Sequence, residues 1–370
     1  MKCILITGGT GFLGSNLSKY ILHEKVIPKA YEILKTEKEK EKEKDKEKES
    51  KIEYEGLGIG GLFLLIIDNF KSSQLETYLS FVKSDNKSED NALIDKYKLI
   101  SFIKQDVIVH LNMDELMKQF PFMTGIEEIY HFACPASPPV YQKDPIHTLR
   151  TNFEGTLNYL ELAREAGCRF LLSSTSEIYG DPLVSPQSEK YWGNTNPIGK
   201  RSCYDEGKRV AETLTYEYRN KYKMDTKIVR IFNTYGPGMN PHDGRVVTNF
   251  IKMALNEEDI TIYGSGDQTR SFCYVDDLIE GIYKLMNTDE SFMGPVNIGN
   301  PTEISIKQLA WTVREVVKSK SKIIYKKLPE DDPKQRCPDI TLAKEKLHWE
   351  PKINLKTGLQ KIKEYIELFI

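Results

Sequence analysis

The stretch CILITGGTGFLGSNL, residues 3–17, decides the fold. Cys3, Ile4, Leu5 and Ile6 form a continuous apolar run with turn residues behind it, the pattern of a short buried strand. Beyond Ser15 and Asn16, apolar Leu17, Ile21 and Leu22 recur at helical spacing. Gly8, Gly11 and Gly14 therefore fall where a strand hands over to a helix. Glycine there allows a tight turn, backbone approach to a pyrophosphate and close packing of helix on strand. The helix N-terminus adds free N–H groups and the positive end of a dipole. A glycine triplet alone is an ordinary turn; its strand–turn–helix setting makes it a dinucleotide site.

With 370 residues the chain has enough length for one large domain or two smaller ones with real cores. Hydrophobic residues make up 39 % and charged residues 29 %, and the formal net charge is −2, so nothing points to a nucleic-acid partner. Cys3, Cys134, Cys168, Cys203, Cys273 and Cys337 are scattered without a CxxC pair, which fits reduced thiols rather than a disulfide framework or a metal site. His131, at the end of an apolar run, is expected to be packed or hydrogen-bonded rather than a ligand. The longest apolar run, Leu57 to Ile67, is well short of the roughly 20 residues a bilayer needs. With a strand beginning almost at Met1, no signal peptide is expected. No membrane partner and a cytoplasmic location are expected.

Outward from the glycine turn, residues 37–51 read EKEKEKEKDKEKESK, with like charges at i,i+4 and nothing apolar to bury. Tyr31 to about Gly56 is therefore expected to be a solvated, unstructured insertion. A second buried strand follows and ends at Asp68. A carboxylate there accepts both hydroxyls of an adenosine ribose and repels a 2′-phosphate, which favours NAD over NADP. The polar stretch between Ser80 and Tyr97 is expected to be a loop. Ile100 to Val107 reads as a third strand with Asp106 at its adenine-facing end. Ile126 to Ala133 reads as a fourth. Pro135, Pro138 and Pro139 then forbid continued strand or helix, predicting a rigid loop where open α/β sheets bind ligands. Thr148 to Ala166 is expected to be a helix with Leu149, Phe153, Leu157, Leu160 and Ala163 on one face. Phe170 to Ser174 is a strand running into Thr175, Glu206 to Tyr222 a long helix, and Thr226 to Phe232 a strand. The fold class is α/β: a doubly wound parallel sheet with a smaller C-terminal domain.

Tyr204 and Lys208 stand four apart, on one helix face. A tyrosine titrates near about 10 when unperturbed. A neighbouring ammonium and a cationic nicotinamide favour the phenolate, so that it can take a proton from a secondary alcohol near neutrality. YxxxK alone is common on helix surfaces. Joined to the glycine turn, and to Thr175 placed after a strand to hydrogen-bond the reacting oxygen, it becomes a catalytic set.

With HFACPASPPVY, LLSSTSEIYGDP, PQSEKYWGNTNPIGKRSCYDEGKRVAE, RIFNTYGPGMNPHDGRVV, YGSGDQTRSFCYVDDL and DDPKQRCPDI, the chain resembles the extended short-chain dehydrogenase/reductase superfamily. Within it the resemblance is to the UDP-glucuronate decarboxylases, and it covers nearly everything outside Tyr31 to Gly56 and roughly Ser72 to Lys98. It implies a Rossmann NAD-binding domain of residues 1–235, to which 270–298 return, and a UDP-sugar-binding domain of 236–269 and 299–370. It implies NAD held by Gly8, Gly11, Phe12, Leu13, Gly14, Asp68, Asn69, Asp106 and Val107, with Tyr204 and Lys208. By the same resemblance, Tyr204 with Lys208 and Thr175 takes the proton of the sugar's 4-hydroxyl as C4 is oxidised at the expense of NAD. The 4-ketone, beta to the C6 carboxylate, then accepts the electrons released with CO2, and re-reduction gives UDP-xylose. Glu177 and Arg270 fall near the reacting sugar, and Pro138, Tyr141, Asn233, Arg245, Tyr263 and Arg336 toward the UDP-sugar.

Arg336 has no evident packing reason to sit between prolines and aspartates, so a ligand role is expected. Arginine suits a diphosphate because its planar donors bind two oxygens at once. Ser176 stands where related 4,6-dehydratases carry an acidic aspartate, and serine cannot expel a C6 hydroxyl as an acid. The resemblance further implies a homodimer built on the helices Thr148 to Ala166 and Glu206 to Tyr222. Departures are the charged insertion and KSSQ after DNF, in place of a glycine–basic turn; neither touches the catalytic residues. No membrane anchor, stem or formyltransferase domain is expected. Four rivals stay open: release of the UDP-4-keto-pentose, UDP-apiose formation, UDP-sugar 4-epimerisation, and a non-catalytic nucleotide-binding regulator. Tyr204 and Lys208 argue against the regulator, and Glu177 with Arg270 and the CPASPP loop against the epimerase.

Overall fold

The computed structural model describes residues 1–44, 61–71, 75–83, 87–240, 242, 244–327 and 335–368. In chain order, β1 (Lys2–Thr7) passes through the glycine turn into α1 (Phe12–Ile21), which continues through a π-turn (Leu22–Val26) into α2 (Ile27–Lys44). β2 (Leu62–Asp68), α3 (Leu75–Lys83), α4 (Ser88–Lys96), β3 (Ile100–Lys104), α5 (Met113–Gln119) and β4 (Gly125–His131) follow. Next come α6 (Pro138–Tyr141), α7 (Pro145–Arg150), a second π-turn (Thr151–Gly155), α8 (Thr156–Ala166), β5 (Arg169–Thr175), a 3-10 turn (Ser176–Tyr179) and α9 (Ser202–Tyr222). The chain then runs through β6 (Thr226–Ile231), β7 (Thr234–Tyr235), α10 (Val246–Leu255), β8 (Ile260–Tyr263), β9 (Thr269–Ser271), β10 (Cys273–Tyr274) and α11 (Val275–Met286). It closes with β11 (Val296–Ile298), β12 (Glu303–Ser305), α12 (Ile306–Val317), β13 (Ile323–Lys326), α13 (Thr341–Leu347) and α14 (Leu355–Glu367).

Seven parallel strands form one sheet in the order β11-β6-β5-β4-β1-β2-β3. The order reverses between β1 and β4, which is where a doubly wound sheet opens a crevice at its carboxyl edge. Both faces are covered, so β1 and β2 read as unbroken apolar runs: Ile4, Leu5, Ile6, Leu64, Leu65 and Ile66 have no exposed surface. Helix α1 packs on α3 and α11, while α9 packs on α7 and α8. Toward the C-terminus, β13 pairs with β8, β12 pairs with β9, and α10, α12 and α14 pack on one another. Trp349 Nε1 and the Ile353 N–H both donate to Asp277 of α11 at 2.8 Å, fastening this part to the main sheet's helices. Among the described residues no helix is long and apolar enough to cross a membrane.

Four local expectations are corrected. Tyr31 to Lys44 is helical rather than unstructured; glutamate and lysine are strong helix formers, and the helix starts from buried Ile27 and Ala30. The remainder of that segment, 45–56, lies outside the described residues. The polar stretch between Ser80 and Tyr97 is largely helical, because Tyr78 and Val82 of α3 and Leu93 and Ile94 of α4 are buried beneath a charged exterior. Glu89 and Asp90 in the first turn of α4 and Lys96 in its last also suit the helix dipole. Pro138 and Pro139 start a short helix instead of forbidding one, since the first helical positions need no N–H. Finally, Leu149 and Phe153 are exposed while Leu160 and Ala163 are buried. The π-turn at Thr151–Gly155 widens one turn and rotates the two halves of the helix relative to each other.

Candidate active site

At the carboxyl end of β1, Gly8 takes a positive φ of 65°, and a Cβ there would lie 2.8 Å from the Ala133 backbone. A Cβ on Gly14 would lie 2.2 Å from the Gly8 carbonyl oxygen. Glycine is thus required at both places, and the backbone cradle in front of α1 stays open for a pyrophosphate. Thr7 Oγ1 accepts from the N–H groups of Phe132 and Ala133 at 3.1 and 3.2 Å, which fixes the other wall of the cradle. The same hydroxyl meets His131 Nδ1 at 2.9 Å. His131 is buried, and burial brings its pKa down to about 3, so it is a packed neutral imidazole, in line with the sequence.

Asp68 lies beside the glycine turn: its two oxygens accept from the N–H groups of Thr10 at 3.1 Å and Phe70 at 2.9 Å. Asn69 donates to Asp106 at 3.0 Å, and His147 Nε2 approaches the same oxygen at 2.9 Å. Burial works to raise the Asp106 pKa, but the hydrogen bonds from Asn69 and His147 outweigh it and hold the carboxyl below its usual range. Val107 is buried, with its backbone oxygen taking a bond from Asn158 at 3.0 Å. This glycine cradle, with carboxylates at the ends of β2 and β3, fits an adenine dinucleotide, with Phe12 and Leu13 opening the helix that faces the pyrophosphate.

β5 ends at Thr175, which caps the following 3-10 turn by accepting from Glu177 N–H at 3.3 Å. The phenol of Tyr204 on α9 lies close enough for the Thr175 hydroxyl to act on its titration. The aromatic ring of Tyr141 stacks on that of Tyr204. Lys208, one turn along α9, is buried and donates to the Ser173 carbonyl at 2.7 Å. That bond anchors the ammonium against the end of β5. Burial pushes the Tyr204 phenol well above the usual tyrosine range, against the Thr175 hydrogen bond and the charge of Arg245, which pull it down. Burial also lowers the Lys208 pKa, opposed by Cys134 and Glu212. Gly207 lets α9 approach closely: a Cβ there would lie 2.9 Å from Asn152 Nδ2.

Glu177 is gripped by two guanidiniums, one from Arg201 and one from Arg336. Burial alone would raise its pKa, but the two arginines outweigh that and hold the carboxyl below its usual range. Arg336 thereby has the packing role that the sequence did not disclose. It is 2 % exposed and also donates to Ser176 Oγ at 3.2 Å and to the Gly180 carbonyl at 2.9 Å. Arg201 and Asp205 went unremarked in the sequence, although both flank Tyr204 in RSCYDEGK. Asp205 is 7 % exposed, and its Oδ1 is buried with no hydrogen-bond partner among the described residues.

The other expected residues are more dispersed. Arg270, on β9, is nearly buried and donates to the Thr269 carbonyl at 2.8 Å. Arg245 caps α10, and Asn233 lies between β6 and β7 with its carbonyl accepting from Cys273 at 2.9 Å. Tyr263 is half exposed at the end of β8, and Pro138 begins α6 beside Tyr141. All six cysteines are free thiols.

Residues 4–299 match the Epimerase family, described as the NAD dependent epimerase/dehydratase family. UDP-glucuronic acid decarboxylase 6 of Arabidopsis thaliana is 55 % identical over 248 residues, 67 % of this chain and 72 % of that protein. UDP-glucuronic acid decarboxylase 1 of Xenopus tropicalis is 42 % identical over 364 residues, 98 % of this chain and 72 % of that protein. Among solved structures, the UDP-glucose 4-epimerase of Thermotoga maritima with UDP-glucose superposes with a TM-score of 0.75 at 25 % identity, covering 99 % of each chain. The UDP-glucuronic acid 4-epimerase of Bacillus cereus, in complex with UDP-glucuronic acid and NAD, shares the fold with a TM-score of 0.72 at 24 % identity over all of both chains. With its glycine cradle and its seven-stranded parallel sheet, the chain belongs to the NAD dependent epimerase/dehydratase family, and its cofactor is NAD.

Proposed function

We propose that this chain is a UDP-glucuronate decarboxylase that converts UDP-glucuronate to UDP-xylose and CO2. The observation that carries the reading is Tyr204, stacked on Tyr141 and influenced by Thr175, which lies one residue from Ser176 and two from the arginine-gripped Glu177. When bound, NAD would supply the oxidising power for C4. Tyr204 takes the proton of the 4-hydroxyl and later returns it to the same oxygen, with Thr175 orienting that oxygen. Lys208 and Tyr141 hold the tyrosine's surroundings. Oxidation at C4 places a ketone beta to the C6 carboxylate, where it accepts the electron pair left by departing CO2. With Ser176 at the dehydratase acid's position, the C6 group leaves as CO2 rather than a hydroxyl leaving as water. Arg201 and Arg336 are both engaged by Glu177 rather than free to clamp the substrate's carboxylate in its ground state. Arg270 positions the sugar, while Pro138, Tyr141, Asn233, Arg245 and Tyr263 serve the UDP-sugar.

In the same reading, residues 1–235 with 270–298 form the NAD domain, and 236–269 with 299–370 the UDP-sugar domain. The chain works as a homodimer in the cytoplasm. Ile146, Leu149 and Phe153 support the dimer, being 71, 42 and 44 % exposed along the helical stretch from α7 into α8. The free cysteines support a reducing compartment.

An NMR time course with UDP-glucuronate and catalytic NAD tests the activity. UDP-xylose accumulating without net reduction of NAD is the expected result. A UDP-4-keto-pentose with equimolar cofactor reduction would mean that the last reduction is bypassed, and epimerised sugar without CO2 would overturn the reading.

A further inference from the structure

Loss of CO2 from a carboxylate takes up one proton per turnover, at C5. Resting on the decarboxylase reading above, the question is which group supplies it. Tyr204 is excluded, since the proton it takes from the 4-hydroxyl must go back to the same oxygen. Glu177 is excluded too, because Arg201 and Arg336 keep it ionised with nothing to give. A third group is therefore needed, able to hold a proton near neutrality and to refill from solvent.

Asp205 meets both conditions. It follows Tyr204 on α9, and its Oδ1 is buried with no hydrogen-bond partner among the described residues. With Glu177 and Arg201 it lines a cavity of about 160 Å³ whose rim carries the exposed Asn194, Asn196 and Lys200. The cavity thus opens from Asp205 toward the outside. The groups facing the carboxyl are Glu177 from the 3-10 turn, Arg336 from the C-terminal part, Tyr141 from α6, and Arg201, Cys203 and Glu206 from around its own helix. Burial, then Glu177, push its pKa up; Arg201 and Arg336 oppose them, and the result is about 7.

We propose that Asp205 is the proton store of the reaction, delivering through cavity water the proton that C5 takes up as CO2 leaves. The C5–C6 bond breaks, its electron pair enters the C4–C5 enolate, and CO2 departs. The O–H bond of the Asp205 carboxyl breaks, a C–H bond forms at C5 through the intervening water, and Asp205 is left as a carboxylate. Solvent restores its proton through the cavity rim. No oxidant or reductant is consumed in this step.

The test is turnover of UDP-glucuronate in D2O by the full chain and by Asp205→Asn and Asp205→Glu variants, with NAD present. The unsubstituted enzyme should place one deuterium at a single C5 position of UDP-xylose, and its kcat should fall as pH rises through about 7. Asp205→Asn should lower kcat about 10²-fold with little change in KM, lose that alkaline limb, and spread deuterium over both C5 positions. Asp205→Glu should recover rate and limb. An Asp205→Asn enzyme with unaltered rate and single-position labelling overturns the proposal while leaving the decarboxylase reading standing. Should that variant not fold, the unsubstituted enzyme decides: a kcat flat across neutrality overturns it equally. Absence of CO2 from the unsubstituted enzyme would instead bring down the decarboxylase reading, and this proposal with it.

Discussion

The rings of Tyr141 and Tyr204 lie 5.1 Å apart, centroid to centroid, and within 7° of parallel. One face of the Tyr204 ring is thus backed by a residue that enters from a different part of the chain. Tyr204→Phe should lower kcat by about 10²–10⁴-fold while UDP-sugar binding, followed by calorimetry, persists. Tyr141→Ala removes a stack worth about 1 kcal/mol, so it should lower both Tm and kcat, and Tyr141→Phe should restore both.

Replacing Glu177 by glutamine leaves Arg336 buried without its counter-charge. That should cost about 3 kcal/mol, read from urea unfolding. Because the carboxyl is held below its ordinary value of 4.5, its contribution is fully present above that pH and is lost as the pH falls beneath it. The Tm of the unsubstituted protein should therefore drop more steeply below about pH 4.5 than that of Glu177→Gln.

Gly14→Ala places a methyl against the Gly8 carbonyl, a backbone atom that cannot swing aside. It should destabilise the fold by about 1–3 kcal/mol and weaken NAD in a fluorescence titration. Gly11→Ala, whose Cβ would meet that same oxygen only at 3.4 Å, should be far milder. Equal effects of the two would argue against the cradle.

Phe153→Asp, alone or with Leu149→Asp, should convert the protein to monomers in sedimentation velocity while far-UV circular dichroism is unchanged. The two apolar side chains are exposed, so their loss should leave the core intact. A dimer that survives both substitutions would place the interface elsewhere.

The glycine turn and the apolar strands were legible because their constraints are local: a residue without Cβ, or an unbroken run of buried side chains. Tyr204, Lys208 and Thr175 were legible through spacing within one helix and at one strand end. Glu177, Arg201, Asp205 and Arg336 form a unit only through tertiary contact, so neither the twofold grip on Glu177 nor the buried edge of Asp205 could be read in advance. The helices within and leading into Ser80 to Tyr97 were hidden because few apolar residues anchor each one beneath a polar surface. A single π-turn misplaced the buried face of the stretch from Thr148, since helical periodicity assumes no widened turn.

The outer partner of β6 is β11, contributed by residues 296–298, long after β6 itself has been made. During synthesis the nascent sheet therefore carries an open backbone edge along Val229, Arg230 and Ile231 until those later residues emerge. An unpaired edge is a template for pairing with another chain. Truncation before Val296 should consequently yield an aggregating product even though the glycine cradle, Tyr204 and Lys208 would all have been synthesised.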